Sequence, residues 1–543
     1  MIRKLAMLAL VSSSLAGCAT PTPTSLDKPD LLPERVGVAA IQVVTNQGSL
    51  SPMLDNWTSI YAFNVEDPES RYELKASSRG LLRSRVFVGA LPPGRYSLLF
   101  MQSLVATGNG SWWINARIPS TLGVFEVADA TLTTLGTIVY QPLGEVGEGD
   151  ERRGVYAVVR AEDPQLLDGF IADLYPEFHA RLDSELVLGW ETGVELTGDD
   201  SSAQVKEAAY GVTPIQLADG RVAFGATLGQ IYWREADGSW VRTDTSFVNE
   251  IATVAEMDDG YVAGGERGLV LVAPALEGPW SRVQGPSDTH AVYWLYQHGD
   301  GHIYALARSA TRVTFFRVSA DFAEWTAIHT YHHQPGLTFT GAGQVHAFAT
   351  KAGRIMLFGG GERRNYDPAT NQSTVEKSDE YFLFAYQPNG KVVSVPGSWW
   401  SGVALPEVSA NDGADWERTR TARGREYRIP GLGTVLPYAL DDGRILMVMH
   451  KAVAVDHLRR KPSEELYTRI GDVDGEIERW GAALEPGCHT LLPTVSTDRL
   501  LFLRCDDGRI MTSSDLGASW QIDRDRMLDP ADVPVEDKAT QTI

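Results

Sequence analysis

Between Gln216 and Cys505 one short pattern recurs, a tight turn bearing glycine or acidic residues followed by a brief apolar strand. It reads QLADGRVAFGA from Gln216, EMDDGYVAGGE from Glu256 and QHGDGHIYALA from Gln297. It returns as ATKAGRIMLFGG from Ala349, ALDDGRILMVMH from Ala439 and VSTDRLLFLRC from Val495. A repeat constrains the fold strongly, because each unit must bury its apolar face against the next copy. The first three copies start roughly forty residues apart, the spacing of a four-stranded propeller blade. The later intervals are longer, so blades four and five are expected to carry insertions, the largest at 398–426. Residues 211–523 are therefore expected to form a β-propeller, with six blades the best fit and seven the alternative.

A second element stands in register with the repeat. SSDLGASW places Ser513, Asp515, Gly517 and Trp520 in the pattern S-x-D-x-G-x-x-W, and SADFAEW and READGSW are partial copies ending at Trp325 and Trp240. In such a turn the carboxylate accepts backbone N–H groups, the glycine permits the bend and the indole packs beneath. This stretch resembles the Asp-box (BNR) propellers of the sialidase type. That group includes enzymes, but also receptors and assembly factors without catalysis, so the fold does not assign an activity.

The N-terminal part reads differently. Residues 36–143 alternate apolar strand runs with Gly-, Pro- and Asn-bearing turns, as in VGVAAIQVVT and SRVFVGALPPGRYSLLFMQ. A β-sandwich of ordinary size is expected, and ALPPGRYSLLF resembles the turn and strand of transthyretin-like or carboxypeptidase-regulatory-like sandwiches. Residues 144–210 read as a charged, glycine-rich linker or long hairpin loop, followed by a helical connector. Asp163 and Pro164 supply the helix start, Leu166, Leu167, Phe170, Ile171 and Leu174 one apolar face, and Pro176 the stop.

The first residues bear on location. Arg3 and Lys4 precede a short apolar run, and Leu15-Ala16-Gly17-Cys18 follows. The run falls short of the ~20 residues that span a bilayer as a helix. Residues 1–17 resemble a bacterial lipoprotein signal, which implies acylation of Cys18. The Pro- and Thr-rich residues 18–35 then read as a tether. Each buried methylene contributes ~0.8 kcal/mol, so several acyl chains anchor firmly. Ala19 in place of aspartate implies, by that resemblance, the outer membrane, with its periplasmic or outer side left open. The polar residues 524–543 form a tail.

Charge narrows the partners. Lys and Arg total 48 against 70 Asp and Glu, a net charge of −22. Such a surface repels phosphate backbones, which argues against nucleic acid. Cys488 and Cys505 flank a turn at 495–498 and either pair across the two strands, as an exported chain favours, or remain free thiols.

Catalytic candidates are sparse. Tyr427-Arg428-Ile429-Pro430 resembles the strand motif with which sialidases grip a carboxylate, making Arg428 the weak catalytic candidate. The pattern departs from that family, because Lys451 stands nearest to where another arginine would follow. The motif also comes after four blades rather than opening the ring. His329, His332 and His333 read as a polar inter-blade loop rather than a metal site. No cofactor motif is present. Trp112-Trp113 and Trp399-Trp400 each offer one ring to either face of a strand. The reading is a non-catalytic binding or scaffold lipoprotein for an envelope protein or glycan; the alternative is a sialidase-like glycoside hydrolase using Arg428.

Overall fold

A computed structural model describes residues 24–27, 32, 34–46, 57–77, 84–107, 110–146, 153–161, 166–191, 214–332, 344–396, 405–419, 435–454, 460–473, 477–506 and 508–525. The N-terminal part is one mainly antiparallel sheet of ten strands: β1 (Gly37–Thr45), β2 (Trp57–Asn64), β3 (Arg71–Ala76), β4 (Ser84–Leu91), β5 (Gly94–Thr107), β6 (Gly110–Arg117), β7 (Val124–Val127), β8 (Thr131–Val146), β9 (Arg153–Ala161) and β10 (Ser184–Val187). The order is β10-β8-β1-β4-β3-β2-β5-β6, with β7 also on β5 and β9 also on β8.

This corrects the expected sandwich: a single sheet curls into a half-barrel. β5 and β8 are 14 and 16 residues long, about 45–55 Å at ~3.3 Å per residue, enough to run along the whole core. Register shifts at Ala40/Gln42, Tyr61/Ala62 and Pro142/Gly144 bend the ladder. The curl is tied where the Glu126 N–H donates to Gly189 O (3.1 Å) and the Glu191 N–H to Val124 O (2.7 Å). β9 pairs antiparallel with β8 and β10 pairs parallel with it, so both extend the same sheet.

β1 is buried at all nine positions because both its faces are covered. Ala39, Ile41 and Val43 point into the curl with Trp57, Phe87, Tyr96 and Phe125. Val38 and Ala40 point outward, against Leu167, Phe170 and Ile171 of helix α1 (Asp168–Leu174) and its approach. Each such large side chain contributes roughly 1.5–3 kcal/mol on burial. Pro176 does not simply end the helical run; it opens a second short helix, α2 (Pro176–His179).

Seven four-stranded sheets follow, at 215–244, 251–282, 291–332, 346–377, 381–418, 438–483 and 488–524. The propeller thus has seven blades, not six. The overlooked blade is the fifth. Its first hairpin turn folds as the others do: the Gln387 N–H donates to Lys391 O (2.8 Å) and the Gly390 N–H to Gln387 O (2.9 Å). In blade 1 the Leu217 and Gly220 N–H groups make the equivalent bonds at 2.8 and 2.9 Å, and Gly220 and Gly390 share φ near +86° and +87°. Pro388-Asn389 stands where blade 1 has Ala218-Asp219.

An apolar cluster fills every junction around the ring, from blades 1–2 through blades 7–1. Six of the seven blades contribute a tryptophan at or on the outer strand: Trp240, Trp280, Trp325, Trp416, Trp480 and Trp520. Blade 4 has none, and its outer strand Gln372–Lys377 is exposed throughout. Polar clips repeat beneath the cores. The Ala218 N–H donates to Glu256 Oε2 (2.6 Å), the Asp258 N–H to Gln297 Oε1 (2.6 Å) and the Asp441 N–H to Asp498 Oδ2 (3.1 Å).

Candidate functional site

Alternating strand direction gives the propeller two faces. Loops between second and third strands, and between blades, form one; turns joining first to second and third to fourth strands form the other. The half-barrel sits on the first face, over blades 1 and 2. Gln42 Nε2 donates to Asn249 Oδ1 (2.6 Å), Arg267 Nη1 to Gln42 Oε1 (2.8 Å) and Thr227 Oγ1 to Asn46 Oδ1 (2.6 Å). The Ser84 N–H donates to Glu266 Oε1 (2.8 Å), Arg267 Nη2 to Leu166 O, and Ser287 Oγ to Asp173 Oδ2 (2.6 Å). Arg267, Asn249, Glu250 and Glu266 are all fully buried.

Buried charge without partners is costly, so the contacts must be specific. The backbone pre-forms them. Leu228-Gly229 and Arg267-Gly268 occupy equivalent turns in blades 1 and 2, all four residues with φ between +55° and +64°. That conformation disfavours a side chain, yet Arg267 adopts it and so delivers its guanidinium to the half-barrel.

The opposite face is open at the seam where the last blade meets the first. Each blade is one continuous segment, so side chains close the ring. Arg234 Nε and Nη2 donate to Asp523 Oδ2 and Oδ1, both at 2.8 Å, and Trp240 Nε1 donates to Asp523 Oδ2 (2.8 Å). Phe224 and Tyr232 pack with Val495, Phe502 and Ile510. Outside this core lies a crevice of about 220 Å³ lined by Asp219, Arg221, Arg234 and Glu235 of blade 1 and by Val495, Thr497, Leu500 and Phe502 of blade 7. Arg221 Nε donates to Asp219 Oδ2 (2.7 Å) and Nη2 to Tyr261 Oη (3.2 Å), and Arg221 lies 3.6 Å from Glu235. Burial pushes the Asp219 carboxyl up, but hydrogen bonds and charge from Arg221 outweigh it and hold the group below its ordinary value.

The other candidates distribute as follows. Cys18, Arg428, His333, Trp399 and Trp400 lie outside the described residues, as do 1–23 and 526–543. Cys488 and Cys505 face each other across the first two strands of blade 7, buried and joined by a disulfide. In the turn at 513–520, Asp515 Oδ1 accepts from Ser513 Oγ (2.7 Å) and the Ser519 N–H (2.9 Å), and Ser513 Oγ accepts the Gly517 N–H (2.8 Å). The hydroxyl and backbone hydrogen bonds from Ser519 hold the Asp515 carboxyl down to about 2. Trp520 packs into the junction core.

Sequence reading missed a second such turn. Ser409, Asn411, Gly413 and Trp416 repeat it in blade 5: Asn411 Oδ1 accepts from Ser409 Oγ and the Asp415 N–H, both at 2.9 Å, and Ser409 Oγ accepts the Gly413 N–H (2.9 Å). The signal was SANDGADW, with asparagine in the aspartate position, inside a stretch read as an insertion. Lys451 lies 3.6 Å from the Tyr467 ring centroid and 5.3 Å from that of Trp480, so its charge is spent against the outer strands of blade 6. His329 accepts from Arg364 Nη2 (3.2 Å), and burial, then Arg364, holds its imidazole below the ordinary value. Among the described residues no three His, Cys, Asp or Glu side chains gather as a metal site, and no helix is long and apolar enough to cross a membrane. Ile445, Met447 and Met449 are buried together, and Trp113, on strand β6, is 56% exposed.

No family model and no curated protein matches the chain. Among solved structures it is similar to YCF48 bound to a D1 peptide, at 14% identity over 50% of this chain and 81% of that one, with a TM-score of 0.34. It is similar to YCF48 from Cyanidioschyzon merolae at 9% identity over 56% and 94%, TM-score 0.34. The β-propeller domain of Cps50 (Swd1) from Myceliophteria thermophila gives 11% identity over 57% and 98%, TM-score 0.37. Likenesses this distant carry no argument about ligand or activity. The blade count and the site geometry rest on the chain itself.

Proposed function

We propose that this chain is a binding or scaffold module, tethered through acyl chains on Cys18 to the outer membrane, that holds an envelope protein or glycan. One observation carries the reading. The half-barrel covers one propeller face over blades 1 and 2 through buried polar contacts, while the other face carries a crevice at the seam. A ring held this rigidly presents its loops at fixed spacing, which lowers the ordering cost of binding. The hydrolase alternative needs arginines converging on a substrate carboxylate, and its candidate, Arg428, lies outside the described residues.

The test uses the purified full chain against envelope extracts and a sialoside. The reading predicts saturable binding of one component, unchanged by Arg428→Ala, and no release of sialic acid. Release by the wild type that disappears in Arg428→Ala would replace it with the hydrolase. Acyl labelling in cells that persists in Cys18→Ala would remove the tether.

A further inference from the structure

We infer that the crevice between blades 7 and 1 receives one basic side chain, a lysine or arginine, presented by a protein partner. The inference rests on the binding-module reading and names the partner's chemistry for the open face. Size comes first. At about 220 Å³ the recess is smaller than the ~300–1,000 Å³ pockets that enclose whole small-molecule ligands. It suits a single side chain.

The lining selects which one. Val495, Leu500 and Phe502 give an apolar floor, fit for the methylene stem of a long basic residue whose head stays at the rim. Arg234 is committed to Asp523 and Arg221 to Asp219 and Glu235. Three carboxylates thus face two guanidiniums, leaving one negative charge at the rim. The side chains of Asp219 and Glu235 are 48% and 34% exposed, so an incoming cation reaches them without full desolvation. The chain's net charge of −22 attracts a basic segment at long range. A sugar would want an open aromatic face, and Phe502 is 2% exposed.

The experiment titrates the full chain with fluorescent nine-residue peptides identical except for a central lysine, arginine, norleucine or glutamate. The lysine or arginine peptide should bind about five- to tenfold tighter than norleucine, the scale of a partly exposed charge contact, and weaken as salt rises. Glu235→Gln and Asp219→Asn should each remove most of that preference, and Thr497→Lys, which delivers the chain's own cation, should abolish it. Unchanged circular dichroism and melting would show each variant folded; if one failed, the other two would still decide. Equal binding of norleucine and lysine peptides, or affinity indifferent to all three substitutions, would overturn the inference. So would displacement of the peptide by a neutral oligosaccharide, which would make the recess a glycan subsite. If the envelope component still binds while basic peptides ignore the seam, only this inference fails; if nothing binds the full chain, the module reading fails as well.

Discussion

Two junctions in this molecule join segments more than a hundred residues apart, and they are built in opposite ways. The half-barrel meets blades 1 and 2 through amides, hydroxyls and a fully buried guanidinium, with Arg267 and Gln42 separated by 225 positions. Blade 7 meets blade 1 through an apolar core guarded by one ion pair, Arg234 with Asp523, 289 positions apart. A polar junction tolerates little change in geometry, because each misplaced group becomes an unsatisfied buried one. An apolar junction tolerates repacking. The first fixes where the half-barrel sits. The second closes the ring and leaves room beside it for something else.

The sharpest break is Arg267→Leu, which gives blade 2 the residue that blade 1 carries at Leu228 with nearly the same backbone φ. It removes the guanidinium and with it the ion pair to Asp288 (3.5 Å), so chemical unfolding should show the half-barrel separating from the propeller, with a loss of about 3–5 kcal/mol, typical of breaking a buried ionic contact. A single unshifted transition would mean that the polar contact contributes nothing. Arg234→Ala should cost less, about 2 kcal/mol, because Trp240 still donates to Asp523. Pairing it as Arg234→Met with Asp523→Leu should recover most of that loss, since an apolar junction accepts an apolar swap. No recovery would make the seam as geometrically strict as the half-barrel contact and erase the distinction.

The repeat and the tight glycine turns were legible because they are local: a few adjacent residues encode each hairpin. Blade 5 escaped because its outer turn, with Asn411 standing in for aspartate, lies inside the stretch at 398–426 read as an insertion. The tryptophans at the outer strands were all visible in the sequence, but six of them form one pattern only after the blades are aligned. The half-barrel was misread as a sandwich because strand runs do not show whether a long strand bends or a new sheet begins; that is decided by bulges such as the one at Ala40/Gln42. Arg267 gave no signal. Its importance comes from partners distant in sequence and from a turn that any glycine-bearing stretch could adopt. The crevice was hidden for the same reason, being assembled from the two ends of the propeller.

The most direct measurement is a hydrogen-exchange footprint of the full chain with and without its bound envelope partner. Protection should appear at 219–222 and 495–502, on the open face at the seam, while the loops at 227–229 and 266–268 beneath the half-barrel stay unchanged. Protection confined to those half-barrel loops, or to the stretch around Arg428, would contradict the assignment of the open face as the binding surface.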